Sequence, residues 1–296
     1  MIETTTHRPV RTAVIPVAGF GTRMLPATKS VPKELLPVVD RPVLDYVVDE
    51  AREAGIEHIV FVTGRGKEAI EDHYDHMVEL ETTLEAGGKT KLLEAARASV
   101  LAQGHASFVR QGKALGLGHA VWCARWVVGD EPFAVLLPDM IVNQAPGCLA
   151  SMMALQARVG GNVIAVNEVP DDQTHRYGVI ATGATAQGLV EVSALVEKPP
   201  QGTSPSNLAV TGRYILQPEV FDILETVERG AGGEFQLTDA MAKLIGKQAF
   251  NAYTVEGPVY DTGDRLGWLE ANIAMALHRD DMVGDVKDLL VRYAKG

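Results

Sequence analysis

The feature that most limits what this chain can fold into is the rhythm of its first half, where near-continuous apolar runs alternate with amphipathic segments. The runs lie at residues 12–17, 58–62, 107–110, 133–137 and 162–166. Strands apolar along their whole length are buried on both faces, as in a sheet covered by crossover helices. Between the first two runs, Val43, Tyr46, Val47, Ala51 and Ala54 recur at helical spacing, and Gly55 supplies a stop. A second helix follows the glycines at 116 and 118 and carries Trp122, Arg125 and Trp126. The Trp and Met residues of these helices read as core. The pattern predicts βα units around a mainly parallel central sheet, an α/β fold. From residue 178 onward the strands shorten, at 178–181, 189–196 and 208–216, with a turn-rich loop at 199–206. A polar, helix-rich insertion occupies 68–102, and helices at 267–279 and 286–294 close the chain.

Composition narrows the function. With 46% hydrophobic and 22% charged residues among 296, the chain has the material for a sizeable core and is not disordered. Its 27 Lys and Arg against 38 Asp and Glu leave a net charge of −11, which argues against nucleic acid or an anionic membrane surface as a partner. A small anionic substrate held by a few local cations remains compatible with it. Cys123 and Cys148 are too few for a disulfide framework and lack metal-ligand spacing, so both read as small core hydrophobes in a reducing compartment. No apolar run approaches the roughly 18 residues needed to span a bilayer. The apolar stretch after Arg8 and Arg11 is interrupted by Pro16 and runs into Gly19, so it reads as a first strand rather than a leader, and the expected location is the cytoplasm.

The first run leads into Ala18-Gly-Phe-Gly-Thr-Arg-Met24, whose glycines let backbone N–H groups approach a phosphate chain. A dinucleotide-binding fingerprint needs a third glycine where Met24 stands, and the Gly-Lys-Ser/Thr of a triphosphatase phosphate loop is missing. Arg23, and Lys33 in Val31-Pro-Lys-Glu-Leu-Leu-Pro37, instead set two cations beside a glycine turn, which suits a triphosphate. The run at 133–137 leads into Pro138 and Asp139, at the strand end that lines the ligand crevice in open α/β sheets, where a Mg²⁺ ligand is useful. Asp261, in Tyr260-Asp-Thr-Gly263, is a second candidate carboxylate; each Asp alone also reads as a turn residue or helix cap. Gln111 offers both donor and acceptor to the imide edge of uracil or thymine, and Gly116 lets a backbone amide reach the same ring. His119, nearby, reads as a structural residue rather than a base. Glu197 can accept from sugar hydroxyls, Lys198 can hold a sugar phosphate, and Gly178 and Gly212 allow close backbone approach.

Taken in order, several motifs resemble those of the sugar-phosphate nucleotidyltransferases over nearly the whole chain. They are Gly19-Phe-Gly-Thr-Arg-Met-Leu-Pro-Ala-Thr-Lys29, Pro32-Lys-Glu-Leu-Leu-Pro37, the insertion around 79–96, Glu197-Lys-Pro199 and Ala209-Val-Thr-Gly-Arg-Tyr214. The likeness is strongest to members acting on UTP and glucose 1-phosphate. It implies a single domain, 1–296, built on a Rossmann-like mixed, mainly parallel sheet flanked by helices. Within it, about 1–140 would form a nucleotide-binding half, about 141–262 a sugar-phosphate-binding half, and about 263–296 the closing helices. The implied reaction is UTP + α-D-glucose 1-phosphate ⇌ UDP-glucose + pyrophosphate, by in-line attack of a phosphate oxygen on the α-phosphorus without a covalent intermediate.

By the same resemblance, Ala18, Gly19, Phe20, Gly21, Thr22, Gln111 and Gly116 would hold the nucleotide. Arg23 and Lys33 would contact the triphosphate, and Asp139 and Asp261 would hold Mg²⁺, with Asp264 competing for the second place. Gly178, Glu197, Lys198, Val210 and Gly212 would surround the sugar phosphate. A homodimer or homotetramer is implied as well. The alternatives are the same chemistry with dTTP, which the insertion and the Phe-Gly-Thr-Arg-Met wording disfavour, and a non-catalytic paralogue binding UDP-glucose, which the retained Arg23, Lys33, Asp139 and Lys198 disfavour. A uridylyltransferase with a histidine nucleophile would want a His-x-His pair, whereas His73 and His76 are two residues apart in the insertion.

Overall fold

The computed structural model describes residues 7–186 and 189–294. Among them a nine-stranded sheet forms the spine. In sheet order the strands are Ala106–Arg110, His58–Thr63, Thr12–Pro16, Phe133–Leu136, Leu208–Leu216, Asn162–Glu168, Phe250–Thr254, Leu189–Glu197 and Gly178–Ala186. The first four run parallel, as the apolar runs at the head of the chain predict. Leu208–Leu216 then runs antiparallel to both its neighbours and joins the two halves into one sheet. Phe250–Thr254 is parallel to Asn162–Glu168, and the last two strands are antiparallel, so the sheet is mixed.

Strand residues alternate between two apolar layers. Val14, Val60 and Val135 face the helices Leu117–Cys123, Val220–Thr226 and Leu237–Leu244. Ile15, Phe61 and Leu136 face the helices Val43–Glu53 and Cys148–Val159. Both faces being covered explains why these strands are apolar throughout. The insertion folds as three helices, Glu68–Tyr74, Val78–Ala86 and Thr90–Arg97. Glu81 ties them together, accepting from Arg97 Nε at 2.6 Å and lying 2.9 Å from His76 Nδ1.

The structure adds to the reading of the sequence the helices Cys148–Val159, Val220–Thr226 and Leu237–Leu244, and departs from it elsewhere. Phe250–Thr254 alternates Phe, Asn, Ala, Tyr and Thr, too mixed to stand out, and is a strand because Asn162–Glu168 pairs with it along its whole length. Met140–Val142 and Val259–Asp261 form a short antiparallel ribbon, too brief to show as a periodic pattern. Trp126 is not core: it is 83% exposed. The inward positions are Ala120, Val121, Ala124 and Val128, and Trp126, two residues from each of the last two, falls on the opposite side; the Arg125 guanidinium lies 3.5 Å from the Trp122 ring and 4.9 Å from that of Trp126. Met152 and Cys148 are in the core as expected, while Cys123 is only partly covered.

One buried ion pair crosses the second layer. Arg213, fully buried on the central strand, donates from Nε and Nη2 to Glu50 Oε2 at 3.0 and 2.8 Å. It also donates from Nη1 to the Leu137 carbonyl at 3.2 Å and from Nη2 to the Met140 carbonyl at 2.7 Å. The other oxygen of Glu50 accepts from the Leu149 N–H at 3.0 Å, in the first turn of Cys148–Val159. Removing one member of such a pair strands the other charge in the core. Arg213→Leu is expected to cost about 3–5 kcal/mol, read as a lower urea midpoint; adding Glu50→Leu should recover part of the loss, because no charge is then left unpaired.

Candidate active site

The carboxyl ends of the first-half strands open into a cleft of about 470 Å³. The turn after Thr12–Pro16 contributes Ala18, Gly19, Phe20, Gly21, Thr22 and Arg23; the turn after Ala106–Arg110 contributes Gln111 and Gly116; Asp139 follows Phe133–Leu136; and Lys33 enters from the 3₁₀ turn Lys33–Leu35. A crevice at this end of parallel strands is where open α/β sheets take their ligands. Gly21 sits at φ +64°, and a Cβ there would lie 3.1 Å from both Lys33 Cβ and Thr28 Cγ2. The glycine turn therefore packs directly on the lysine that the sequence pairs with it.

Asp139 and Asp261 meet through the short ribbon, whose register sets Met140 opposite Asp261. Thr262 reinforces the contact, donating its N–H and its hydroxyl to the Asp139 carbonyl at 2.8 and 2.9 Å. Gly263 stands at the meeting point. The position its Cβ would take is 2.6 Å from Arg23 Nη2, 2.9 Å from Asp139 Oδ2 and 2.9 Å from Asp261 Oδ1. The two carboxylate oxygens are thus at most twice that distance, 5.8 Å, apart. Asp264 does not share this place. It caps the helix Arg265–Leu277, accepting from the Leu266 and Gly267 N–H groups, and pairs with Arg176 at 3.1 Å.

The two carboxylates differ in charge environment. Lys33 Nζ donates to Asp139 Oδ2 at 2.5 Å. Burial works to raise the Asp139 pKa, but the Lys33 ammonium, helped by Arg23, outweighs it and holds the carboxyl below its ordinary value. Lys33 is held above its ordinary value because Asp139 and Glu34 outweigh its own burial. Asp261 is pushed up, first by burial and then by the Asp139 charge, against the Gly263 N–H that donates to it at 2.9 Å. Lys33 is therefore a partner of Asp139 as well as a cation in the cleft, while exposed Arg23 faces the same point from the glycine turn.

Further along the sheet, Glu197 Oε2 accepts from Thr238 Oγ1 at 2.7 Å, and Glu197 Oε1 lies 3.4 Å from Lys198 Nζ. A Cβ on Gly178 would be 3.2 Å from Glu197 Oε2 and 3.6 Å from Val210 Cγ2, so these three positions come together as expected. Lys198 adopts φ +45°, an uncommon conformation for a residue with a side chain, with its head half exposed. Gly212, at φ +74°, packs on Leu137, where a Cβ would meet three side-chain carbons at 3.0 Å. The Arg176–Asp264 pair ties the segment before Gly178 to the loop that carries Asp261.

A model of the family described as "Nucleotidyl transferase" matches residues 12–276. The chain belongs to the nucleotidyl transferase family. It is 49% identical over 290 residues, 98% of this chain and 97% of the other, to a UTP–glucose-1-phosphate uridylyltransferase of Bacillus subtilis (strain 168). A protein of the same name from Staphylococcus epidermidis is 50% identical over 281 residues, 95% of this chain and 97% of its own. Among solved structures, a UTP-bound UGPase from Acinetobacter baumannii matches with a TM-score of 0.86 and 43% identity, covering 95% of this chain and 99% of that one. A UDP-glucose pyrophosphorylase complexed with UDP-glucose matches at 0.81 and 38%, covering 91% and 100%. The resemblance carried by the motifs holds.

In this nucleotidyl transferase the sequence reading missed Thr238, which anchors Glu197, and Gly263, around which Arg23 and both carboxylates close. It also missed Glu34, a buried residue of the cleft lining that accepts from Lys67 at 2.7 Å. Nothing local marks these residues; each matters through a partner 33 or more positions away. Gly263→Ala inserts a methyl where three functional groups meet. It is expected to cut turnover by about 10²-fold, the cost of a displacement near 1 Å, with a circular dichroism spectrum like that of the wild type.

Proposed function

We propose that this chain joins UTP to α-D-glucose 1-phosphate, producing UDP-glucose and pyrophosphate. The observation that carries the reading is the closure of Arg23, Asp139 and Asp261 around Gly263 at the mouth of a cleft that also contains Gln111. Relatives at 49–50% identity bear the name of this activity, and the matched structures are described with UTP and with UDP-glucose. Residues of the glycine turn, with Gln111 and Gly116, would take the nucleotide, and Gly178, Glu197, Lys198, Val210 and Gly212 the sugar phosphate. In this reading about 1–140 serves the nucleotide and about 141–262 the sugar.

A phosphate oxygen of glucose 1-phosphate attacks the α-phosphorus of UTP in line, and the α–β phosphoanhydride bond breaks to release pyrophosphate. The nucleophile is already an anion, so no side-chain base is required, and the protein contributes position and charge. Arg23 offsets the charge gathering on the leaving pyrophosphate. Lys33 keeps Asp139 ionised and in place. Lys198 orients the attacking phosphate, and Glu197, fixed by Thr238, accepts from the sugar hydroxyls.

The donor set fits Mg²⁺: two carboxylates within 5.8 Å, hard oxygen ligands, and an Asp261 whose pKa is raised by burial and then by the Asp139 charge, a repulsion that a cation would relieve. Asp139 and Asp261 would hold the ion, which supplies positive charge to the triphosphate oxygens. No helix among the described residues is long and apolar enough to cross a membrane. A cytoplasmic, homo-oligomeric enzyme belongs to the same reading, and Leu266, Leu269 and Tyr293 expose apolar surface on the closing helices.

The test is pyrophosphate release from UTP or dTTP with glucose 1-phosphate and Mg²⁺. Rapid release with UTP, weaker release with dTTP and abolition by a chelator are expected; no release with either nucleotide would sink the reading. Lys198→Ala should lower the UTP rate by at least about 10²–10³-fold, and near-normal turnover would remove it from the attacking-phosphate site.

A further inference from the structure

His119 stands beside the cleft, and the reaction as derived leaves it without a part. Its Nδ1 lies 2.9 Å from Gln111 Nε2, and the same Nε2 donates to the Gly116 carbonyl at 3.1 Å. A carbonyl only accepts, so Gly116 fixes which end of the Gln111 amide carries the hydrogens. Gly116 cannot easily re-aim. It has φ +109°, and a Cβ there would lie 2.7 Å from Glu234 Cβ and 2.8 Å from the Phe235 carbonyl. Both Nε2 hydrogens are then spent inside the protein, and an imidazole nitrogen facing one of them must be unprotonated. His119 is thereby fixed as the neutral Nε2–H tautomer. Gln111 Oε1 accepts from no donor among the described residues and is not one of the atoms sealed from solvent without a partner.

Resting on the reading of UTP as the nucleotide, we propose that His119 is a positioning residue for base selection. Its Nδ1 holds the Gln111 amide so that only the acceptor Oε1 is offered to the base, which selects pyrimidines carrying an N3–H, uracil and thymine, over cytosine. Cytosine presents an acceptor at N3, leaving two lone pairs face to face. The sequence offers Gln111 as donor and acceptor alike; the tertiary contacts leave it only the second role.

The surroundings keep His119 neutral. The titratable groups on its own helix segment are Cys123, with Sγ 3.9 Å from Nδ1, and Arg125; the segment whose Phe235 ring lies 6.3 Å from the imidazole brings Glu234, which abuts Gly116, and Arg229, whose guanidinium lies over the Phe235 ring. Burial and then Arg125 lower the His119 pKa. Acid that does protonate Nδ1 turns it into a donor and expels the amide hydrogen it had accepted. Recognition of uracil is therefore present above that pKa and lost as pH falls through it, below the ordinary imidazole value of about 6.5.

The test measures kcat and KM for UTP, dTTP and CTP between about pH 5 and 8 in the wild type, His119→Leu and His119→Asn. Leucine removes the acceptor; asparagine places Oδ1 where Nδ1 was, without a titrating proton. His119→Leu is expected to lower the UTP-to-CTP ratio of kcat/KM about tenfold, the worth of one hydrogen bond, mainly through KM for the nucleotide. The UTP-to-dTTP ratio and the KM for glucose 1-phosphate should not move, since both bases carry the N3–H. His119→Asn should keep the wild-type ratio and lose the part of the acid limb that the wild type adds to the titration of UTP itself. A Leu variant that keeps the UTP-to-CTP ratio, or an Asn variant that keeps the full acid limb, overturns the inference and leaves the proposed reaction standing. A wild type inactive with both UTP and dTTP overturns the reaction first.

Discussion

The Glu50–Arg213 ion pair is the contact on which the geometry of the cleft depends. Two charges with almost no access to water are tolerated only where their remaining hydrogen-bonding capacity is used. Here the surplus donors of Arg213 take the carbonyls of Leu137 and Met140, the residues that bracket Pro138 and Asp139. The surplus oxygen of Glu50 takes the Leu149 N–H in the first turn of the next helix. Satisfying one buried pair therefore pins a helix, the central strand and both sides of the turn presenting Asp139.

From that pinned turn the charges of the cleft follow in sequence. Asp139 draws Lys33, whose side-chain stem packs against Gly21, and the same carboxylate adds to burial in raising the pKa of Asp261 across the ribbon. The acidic balance of the chain, −11 overall, hides this local order. Cations gather where phosphate charge would sit, and two like charges are brought together where a metal ion would relieve them. Net charge spoke only about large partners, and spacing along the chain only about which residues were eligible.

Much of the sheet was legible because a strand buried on both faces must be apolar at every position. Thr12–Pro16, His58–Thr63 and Phe133–Leu136 declared themselves in this way, and Asp139 with them, as the carboxylate just past a strand end. Phe250–Thr254 did not, because its Asn and Thr are accommodated by a neighbour the sequence cannot show. Trp126 read as core, but the buried face of its helix runs through Ala120, Ala124 and Val128, which leaves Trp126 on the side toward water. Asp264 competed with Asp261 for the second carboxylate until Asp261 paired in the ribbon and Asp264 capped a helix.

The sequence alone determined the α/β class, the family motifs and the residue types available for phosphate, metal and base, since apolar periodicity and chemical identity are written into the order of the residues. Tertiary structure decided which groups share a point in space and what state they hold there. It set Arg23, Asp139 and Asp261 around Gly263, committed Lys33 to a carboxylate, and reduced Gln111 from donor and acceptor to acceptor alone. The reason is physical: a side chain's charge and hydrogen-bonding role depend on the partners and the loss of water around it, and those partners come from segments more than 100 positions apart in the case of Lys33 and Asp139.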